Sequence, residues 1–274
     1  ASGGLHGVGA SVVNALSSKL VAQVDRDGHT YELAFRERVA GQFSGSSFTA
    51  GHQLAKVKRI SKNKTGTRIR FWADRDVFDA DARVDTEEVH QRVIQACFLV
   101  PGVKIRVVDK RAGASSDPFE FVSRGGLADL VDHLSTGENA CEVIALSGID
   151  TFTERVPVDG KMRDVERECT VEVALRWVKG YDTRLESFVN TIPTVQGGTH
   201  TAGFDRALTR AVNDVLLKDT RKLAKLAKEN KHRATKEDVQ EGMVAACKVV
   251  FPEPQFRGQT KQELGTPAIE KIVY

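Results

Sequence analysis

ASGGLHGVGASVVNALS (residues 1–17) opens the chain with four glycines, Gly3, Gly4, Gly7 and Gly9, in its first nine residues. Val8, Val12, Val13 and Leu16 follow at helical spacing, with Ser11 and Asn14 on another side. Glycines let a backbone pass through positive φ and approach an anion closely, and the helix behind them offers unpaired N–H groups at its positive end. A Walker loop is excluded, because no Lys-Ser/Thr follows the last glycine. A dinucleotide fingerprint needs a preceding strand and an acidic residue about twenty positions on, which only Asp25 or Asp27 offers. On these residues alone, phosphate binding and a plain turn leading into a helix both stay open.

The 274 residues are 41% hydrophobic and 28% charged, the composition of a globular protein with room for two cores. A net charge of +3 is too slight to imply a polyanion partner by itself, so such an argument must rest on local clusters. Cys97, Cys141, Cys169 and Cys247 stand far apart without C-x-x-C pairing, which disfavours a zinc site or a disulfide scaffold and suits a reducing compartment. No apolar run approaches the ~18 residues of a membrane span and no signal peptide is visible, so a cytoplasmic protein is expected.

Further along, TGTRIRFW (65–72) sets Ile69 and Phe71 against Arg68 and Arg70, the alternation of a half-buried strand. DTEEVHQRVIQACFLVPG (85–102) carries helix punctuation: Asp85 as cap, Glu88 to complete a capping box, Val89, Val93, Ala96 and Cys97 as the stripe, and Pro101-Gly102 as the stop. VKIRVVD (103–109) predicts a strand. Turn formers gather in RAGASSDPFEFVSRGG (111–126) and put a domain boundary at Arg124, giving units 1–124 and 125–274. Beyond it Leu127, Leu130, Val131 and Leu134 predict a helix, and Val171, Val173, Leu175 and Trp177 a strand. KGYD (179–182) is expected to turn that strand into RLESFVNTIPT (184–194) as a long hairpin. GTHTAGFDRALTRAVNDVLL (198–217) predicts a helix with Phe204, Leu208, Val212 and Val215 in its stripe, and MVAACKVVF (243–251) a strand. The second half is thus expected to be strands with helices on one side.

Residues 218–236 hold eight Lys or Arg against two acids. Lys218, Arg221, Lys222, Lys225 and Lys228 fall on one helical face, with Leu216, Leu223 and Leu226 on an apolar side. This is either a solvated amphipathic helix or a phosphate-attracting surface.

Taken together, the longer strings are more specific than the glycine pattern. GGLHGVGASVVNALS (3–17) closely resembles the glycine-rich lid of the B-type ATPase subunits of bacterial type IIA topoisomerases, DNA gyrase and topoisomerase IV, in the GHKL superfamily. TGTRIRFW resembles the threonine strand of that family, FVNTIPTVQGGTHTAGF (188–204) its transducer hairpin and helix, and EDVQEGMVAACKVVFPEPQFRGQTKQELG (237–265) its lysine loop. The four motifs stand in family order and span nearly the whole chain. The resemblance implies an α/β fold: the C-terminal part of a GHKL ATPase domain, an α+β sandwich, over 1–124, then a transducer resembling the ribosomal-protein S5 domain 2-like fold over 125–274.

It also implies roles. Gly4, Leu5, His6, Gly7, Val8, Gly9 and Ala10 would wrap the triphosphate of ATP, chiefly with backbone N–H groups, and His6 would position rather than act as a base. Thr67 would hydrogen-bond to the adenine–aspartate–water cluster, and Arg26 would stand at the pocket edge where aminocoumarins are contacted in the family. Without the resemblance Thr67 is a strand-opening threonine and Arg26 a solvated charge. Lys261, with Gln259 beside it, would reach the γ-phosphate from the second domain, assisting catalysis and sensing ATP against ADP; by composition alone it is an exposed loop charge. The face of Lys218, Arg221, Lys222, Lys225 and Lys228 would meet a captured DNA duplex independently of its sequence.

In the family the catalytic glutamate, the magnesium-binding asparagine, the adenine-binding aspartate and an exchanging arm lie upstream of the lid. The resemblance therefore implies that the chain begins inside the lid, stops before the metal-binding cleavage domain and does not turn over ATP alone. The implied cofactors are ATP and Mg²⁺. The implied partners are DNA, a second copy of the same polypeptide and the A-type breakage-reunion subunit of a heterotetramer, which carries the nucleophilic tyrosine. A chaperone, kinase or mismatch-repair ATPase of the same superfamily is disfavoured by the QTK loop and the GGTH helix; a non-enzymatic basic DNA-binding module is the other alternative. SGSSFTAGHQLAKVKRISKNK (44–64) is longer than the usual family connection and has no assigned role.

Overall fold

A computed structural model describes residues 8–51, 54–115, 117–158, 161–218 and 233–274. Packing divides the chain into two compact units between Val84 and Asp85, well before the boundary expected at Arg124. The turn formers that suggested that boundary lie largely in the loop of a hairpin, between β7 (Lys104–Val107) and the antiparallel β8 (Phe119–Val122). Phe98 and Leu99, from the preceding helix, share one core with Leu127, Leu130, Val131 and Leu134, and this burial ties residues 85–124 to the second unit.

The first unit contains α1 (Gly9–Ala15), β1 (Ser17–Arg26), β2 (His29–Arg36), β3 (Val39–Ser44), β4 (Ser47–Ala50), β5 (Ala55–Arg59) and β6 (Gly66–Ala73). Its antiparallel sheet has the order β4-β3-β2-β1-β6, with β5 pairing the first half of β2. Asp27 and Gly28 join β1 to β2 with φ of 51° and 78°, the positive pair that a two-residue turn matched to strand twist requires. Register places Leu20, Ala22 and Val24 of β1 opposite Phe71, Ile69 and Thr67 of β6, and opposite Phe35, Leu33 and Tyr31 of β2, so one face is largely apolar. The alternation predicted for β6 holds, but its burial does not: Ile69 is 56% and Phe71 57% exposed, and Val24 beside them on β1 is exposed as well.

The second unit contains α2 (Thr86–Leu99), β7, β8, α3 (Leu127–Leu134), β9 (Ile144–Val158), β10 (Lys161–Trp177), β11 (Arg184–Val189), β12 (Ile192–Pro193), α4 (Thr199–Lys218), α5 (Lys236–Gln240), β13 (Met243–Val250) and α6 (Pro267–Val273). Asp85 caps α2 as predicted, accepting from the N–H groups of Glu87 and Glu88. The sheet order is β12-β11-β13-β10-β9. The expected hairpin between 169–178 and 184–194 does not form, because β13 inserts between those strands, antiparallel to β10 and parallel to β11. The long hairpin is β9–β10 instead.

Helices cover both faces of this sheet rather than one. Ala174, Val244, Ala246 and Phe188 pack against α2 and α3. Leu175, Met243, Ala245 and Cys247 pack on the other face against Phe204 and Leu208 of α4 and Val273 of α6. Seven of the eight residues of β13 are buried, as a central strand covered on both sides must be. Its one ionic side chain, Lys248, is buried with partners: Nζ donates to both Glu172 carboxylate oxygens at 3.1 and 3.2 Å and to the Leu99 carbonyl at 3.1 Å. That places a cation at the C-terminal end of α2, where unpaired carbonyls favour it. All four cysteines are free thiols.

Candidate functional site

In the first unit the glycine loop leads into α1. Gly4, Leu5, His6 and Gly7 lie outside the described residues; Val8, Gly9 and Ala10 form the exposed start of the helix. Among the described residues the first intrahelical bond runs from Val12 N–H to Val8 O, and the N–H groups of Gly9, Ala10 and Ser11 precede it. No acidic residue stands in this first turn.

The other end of α1 is anchored. Ser17 Oγ donates to Val13 O at 2.6 Å, Arg38 Nε to Ala15 O at 3.0 Å, and Asp74 N–H to Leu16 O at 3.0 Å. Arg38 Nη2 also pairs with the buried Asp74 carboxylate at 3.4 Å. Sequence reasoning assigned nothing to Arg38 or Asp74, since only the turn between β2 and β3 brings the guanidinium back to the helix.

Thr67 and Arg26 fall on the same face of the sheet, because Thr67 pairs with Val24 and Arg26 stands two residues further along β1. Both are exposed, and Arg26 makes a 3.3 Å surface pair with Asp27. That face is the one carrying Val24 and Ile69.

Lys261 lies in the second unit, near the tip of a hairpin. Arg257 N–H donates to Glu263 O at 2.9 Å and Gly265 N–H to Gln255 O at 2.7 Å; residues 258–262 form the turn between these rungs. An Arg257–Glu263 ion pair at 2.7 Å closes the base. This hairpin docks on the turn preceding α4: Gln196 N–H donates to Gln262 O at 3.0 Å, Leu264 N–H to Gly197 O at 2.9 Å, and Thr199 N–H to Leu264 O at 3.1 Å. The Gln196 side chain repeats the contact, Nε2 donating to Gln262 Oε1 at 3.0 Å.

Gly198 makes the docking possible. Its φ is +134°, and an added Cβ would stand 2.8 Å from the Leu264 Cα and nearer still to its N and O. Lys261 is half-buried with φ of 56°, an uncommon conformation for a side-chain-bearing residue. Among the described residues its ammonium joins no ion pair. Gln259 is exposed. The structural partners Gln196, Gly198 and Gln262 were missed by sequence reasoning, although the paired glycines before Thr199 were a visible sign of close backbone approach.

Beneath the docked turn, Ser187 Oγ donates to Thr194 O at 2.8 Å, and Thr194 Oγ1 lies 3.1 Å from His200 Nε2. His200 is fully buried, and burial pushes its pKa from 6.5 down to about 4. The folded protein keeps this ring neutral while the unfolded chain protonates it near pH 6.5, so its contribution is complete above that pH and is lost as pH falls toward 4. Urea unfolding is expected to show a loss of about 1.4 kcal/mol per pH unit within the window. His200→Gln removes that slope; an unchanged slope would mean that the ring is protonated in place.

Arg221, Lys222, Lys225 and Lys228 lie outside the described residues, and Lys218 closes α4. Among the described residues no group of three or more His, Cys, Asp or Glu could hold a metal, and no helix is long and apolar enough to cross a membrane.

Comparison with known proteins bears on family and fold. The family model for DNA gyrase B matches residues 126–274. The DNA gyrase B protein of Streptococcus pneumoniae is 36% identical over 272 residues, covering 99% of this chain and 37% of that protein. The B-type subunit of the type 2 topoisomerase of Aquifex aeolicus is 38% identical over 274 residues, covering 99% of this chain and 30% of that protein. The chain therefore spans well under half the length of these curated relatives. Among solved structures, the 43K ATPase domain of Thermus thermophilus gyrase B, in complex with an aminocoumarin, superposes with a TM-score of 0.69 at 30% identity, over 97% of this chain and 63% of that one. The topoisomerase IV ATP-binding domain of Francisella tularensis shares the fold with a TM-score of 0.70 at 24% identity, over 100% of this chain and 65% of that one. The chain belongs to the DNA gyrase B family.

Proposed function

We propose that the chain is the ATP-lid and transducer region of a type IIA topoisomerase, coupling ATP binding and hydrolysis to clamp closure and passage of a DNA duplex. The observation that carries this reading is Lys261: a half-buried lysine whose ammonium joins no ion pair among the described residues, in a hairpin docked on a glycine turn. A cation held in that way suits a phosphate whose charge changes during a reaction. The glycine loop, with Val8, Gly9 and Ala10 at the helix start, holds the triphosphate through backbone N–H groups. Thr67 and Arg26 border the base, and Gln259 accompanies Lys261. Residues 125–274 are the transducer by family, although packing groups them with 85–124.

ATP supplies the phosphoryl group whose loss drives the cycle. Lys261 neutralises charge developing on its oxygens and loses its partner when phosphate departs, releasing the hairpin. The described residues offer no metal cluster, and no step is assigned to Mg²⁺, whose family ligand lies upstream of the lid. The longer protein acts in the cytoplasm as a homodimer joined to an A-type partner.

The test is ATP-dependent strand passage on a closed circular plasmid by the longer protein with its A-type partner. A topology change requiring ATP supports the reading, with negative supercoiling marking a gyrase and relaxation alone a topoisomerase IV. No change in linking number with an active partner would overturn it.

Lys218, Arg221, Lys222, Lys225 and Lys228 contact the captured duplex. Changing Lys222, Lys225 and Lys228 to Ala is expected to flatten the plot of log affinity against log salt by roughly 0.9 per lost phosphate contact, equally for two unrelated duplexes. An unaltered slope in the folded variant makes those charges a solvated face.

A further inference from the structure

No acidic residue occurs between Arg38 and Ala73, a stretch that includes seven Lys or Arg side chains. It contains the segment 44–64, to which the family resemblance assigns no role. Its described residues add β4 and β5 to the sheet of the first unit. β5 (Ala55–Arg59) pairs with β2 and β6 (Gly66–Ala73) pairs with β1, so the two basic strands flank two others. Three strand spacings separate them, about 14 Å.

Between them, on the face opposite Val24 and Ile69, lie two cavities of about 570 and 260 Å³ that share Gln23, Glu32 and Arg68, the first bordered at its end by Thr65, Gly66 and Thr67. Lys58 and Lys64 line the first, Lys19 and Arg70 the second, and Arg68 both. The carboxylates on the floor are occupied: Asp25 accepts from Thr30 Oγ1 at 2.5 Å and pairs with Lys64 at 3.1 Å, and Glu32 accepts from Gln23 Nε2 at 2.7 Å. Among the described residues Lys58, Arg68 and Arg70 join no ion pair, while the pairs in this unit are Arg26–Asp27, Arg36–Glu37, Arg38–Asp74 and Lys64–Asp25.

We infer that this groove is a second binding surface for a DNA duplex, seated on the phosphate backbone by Lys58 on one bank and Arg68 and Arg70 on the other. Charge complementarity selects a polyanion, and the separation of the banks is close to the roughly 12 Å major groove that divides two phosphate rows of a duplex. Single-stranded nucleic acid is disfavoured, because the groove's aromatic rings are already engaged. Lys19 Nζ stands 3.8 Å from the Phe43 ring centroid and 4.8 Å from that of Trp72, which reduces their use as a stacking platform. The inference rests on the reading that the protein handles duplex DNA, and adds a contact outside the basic stretch 218–236.

The test measures affinity of the 274-residue chain for a short fluorescent duplex of mixed sequence at several salt concentrations. The variant Lys58→Gln/Arg68→Gln/Arg70→Gln should lose roughly 0.9 of log–log salt slope for each phosphate contact removed. Lys56→Gln/Arg59→Gln is the control: these residues pair with Tyr31 and His29 on the opposite face of the same sheet, and the slope should stay at the parental value. Should the triple variant fail to fold, Lys58→Glu alone, on an exposed position of β5, must still weaken duplex binding. An unchanged slope in the groove variant, equal losses in groove variant and control, or a loss confined to a single-stranded probe would overturn the inference. Absence of ATP-dependent strand passage by the longer protein, with duplex binding through the groove intact, would instead overturn the functional reading and leave the groove standing.

Discussion

Lys261→Ala, in a protein that carries the segment upstream of the lid, is expected to lower the ATP turnover number by about a hundredfold or more. One charge contact made chiefly in the transition state is removed, while recognition of the base by the other domain persists, so nucleotide binding should weaken far less than turnover. Folding should be little changed, because the hairpin is held by backbone bonds at Arg257, Gly265, Gln196 and Leu264 rather than by the lysine side chain. Steady-state ATPase measurements alongside equilibrium nucleotide binding separate the two effects. Unchanged turnover would return Lys261 to an ordinary surface charge. An equal loss of binding and turnover would make it a binding residue without a transition-state role.

Gly198→Ala should act on the same site from beneath. The glycine sits at φ +134°, and its missing side chain is the space occupied by the Leu264 backbone. Alanine faces both a strained backbone and a steric conflict, which together cost on the order of 3 kcal/mol of stability. If the segment 262–264 yields instead, stability is partly kept and Lys261 loses its position. Gln196→Ala distinguishes support from stability, since it removes one side-chain bond to Gln262 worth about 1 kcal/mol and leaves the backbone rungs in place. A fall in turnover with an almost unchanged midpoint in urea identifies a positioning role. A Gly198→Ala variant with parental stability and turnover would show that the hairpin does not depend on this turn.

How much the sequence disclosed depended on how local each interaction is. The cap at Asp85, the stripe of α3 and the alternation of β6 and β10 each require only neighbours in the chain, and all were legible. Strand pairing was not. Residues 169–178 and 184–194 looked like partners because a short turn joins them, yet β13, from far along the chain, lies between them. MVAACKVV, apolar at every position but Lys248, was the clue, since a strand buried on both faces cannot show alternation. β9 escaped notice because it is an edge strand, and its period-two signal is diluted by polar residues on both sides. The glycine loop, Thr67 and Lys261 were proposed by likeness to a family, whereas Arg38 and Asp74, which anchor the end of α1, and Gln196 and Gly198, which dock the hairpin of Lys261, became visible only when distant segments were brought together.

Hydrogen exchange at the amides of Gly258–Gln262 tests the central claim most directly. The rungs at Arg257 and Gly265 hold the base of the hairpin whether or not nucleotide is present, but of the tip amides only that of Lys261 donates a bond among the described residues, a weak one of 3.5 Å to Gly258 O, while Gln262 is held through its carbonyl and side chain. Local opening of such a turn costs little free energy, so a ligand that grips Lys261 must slow exchange there. In the protein carrying the upstream segment, a non-hydrolysable ATP analogue should protect these amides and ADP should leave them as in the free protein. Equal protection by both nucleotides, or by neither while both are bound, would contradict the assignment of Lys261 as the residue that senses the γ-phosphate.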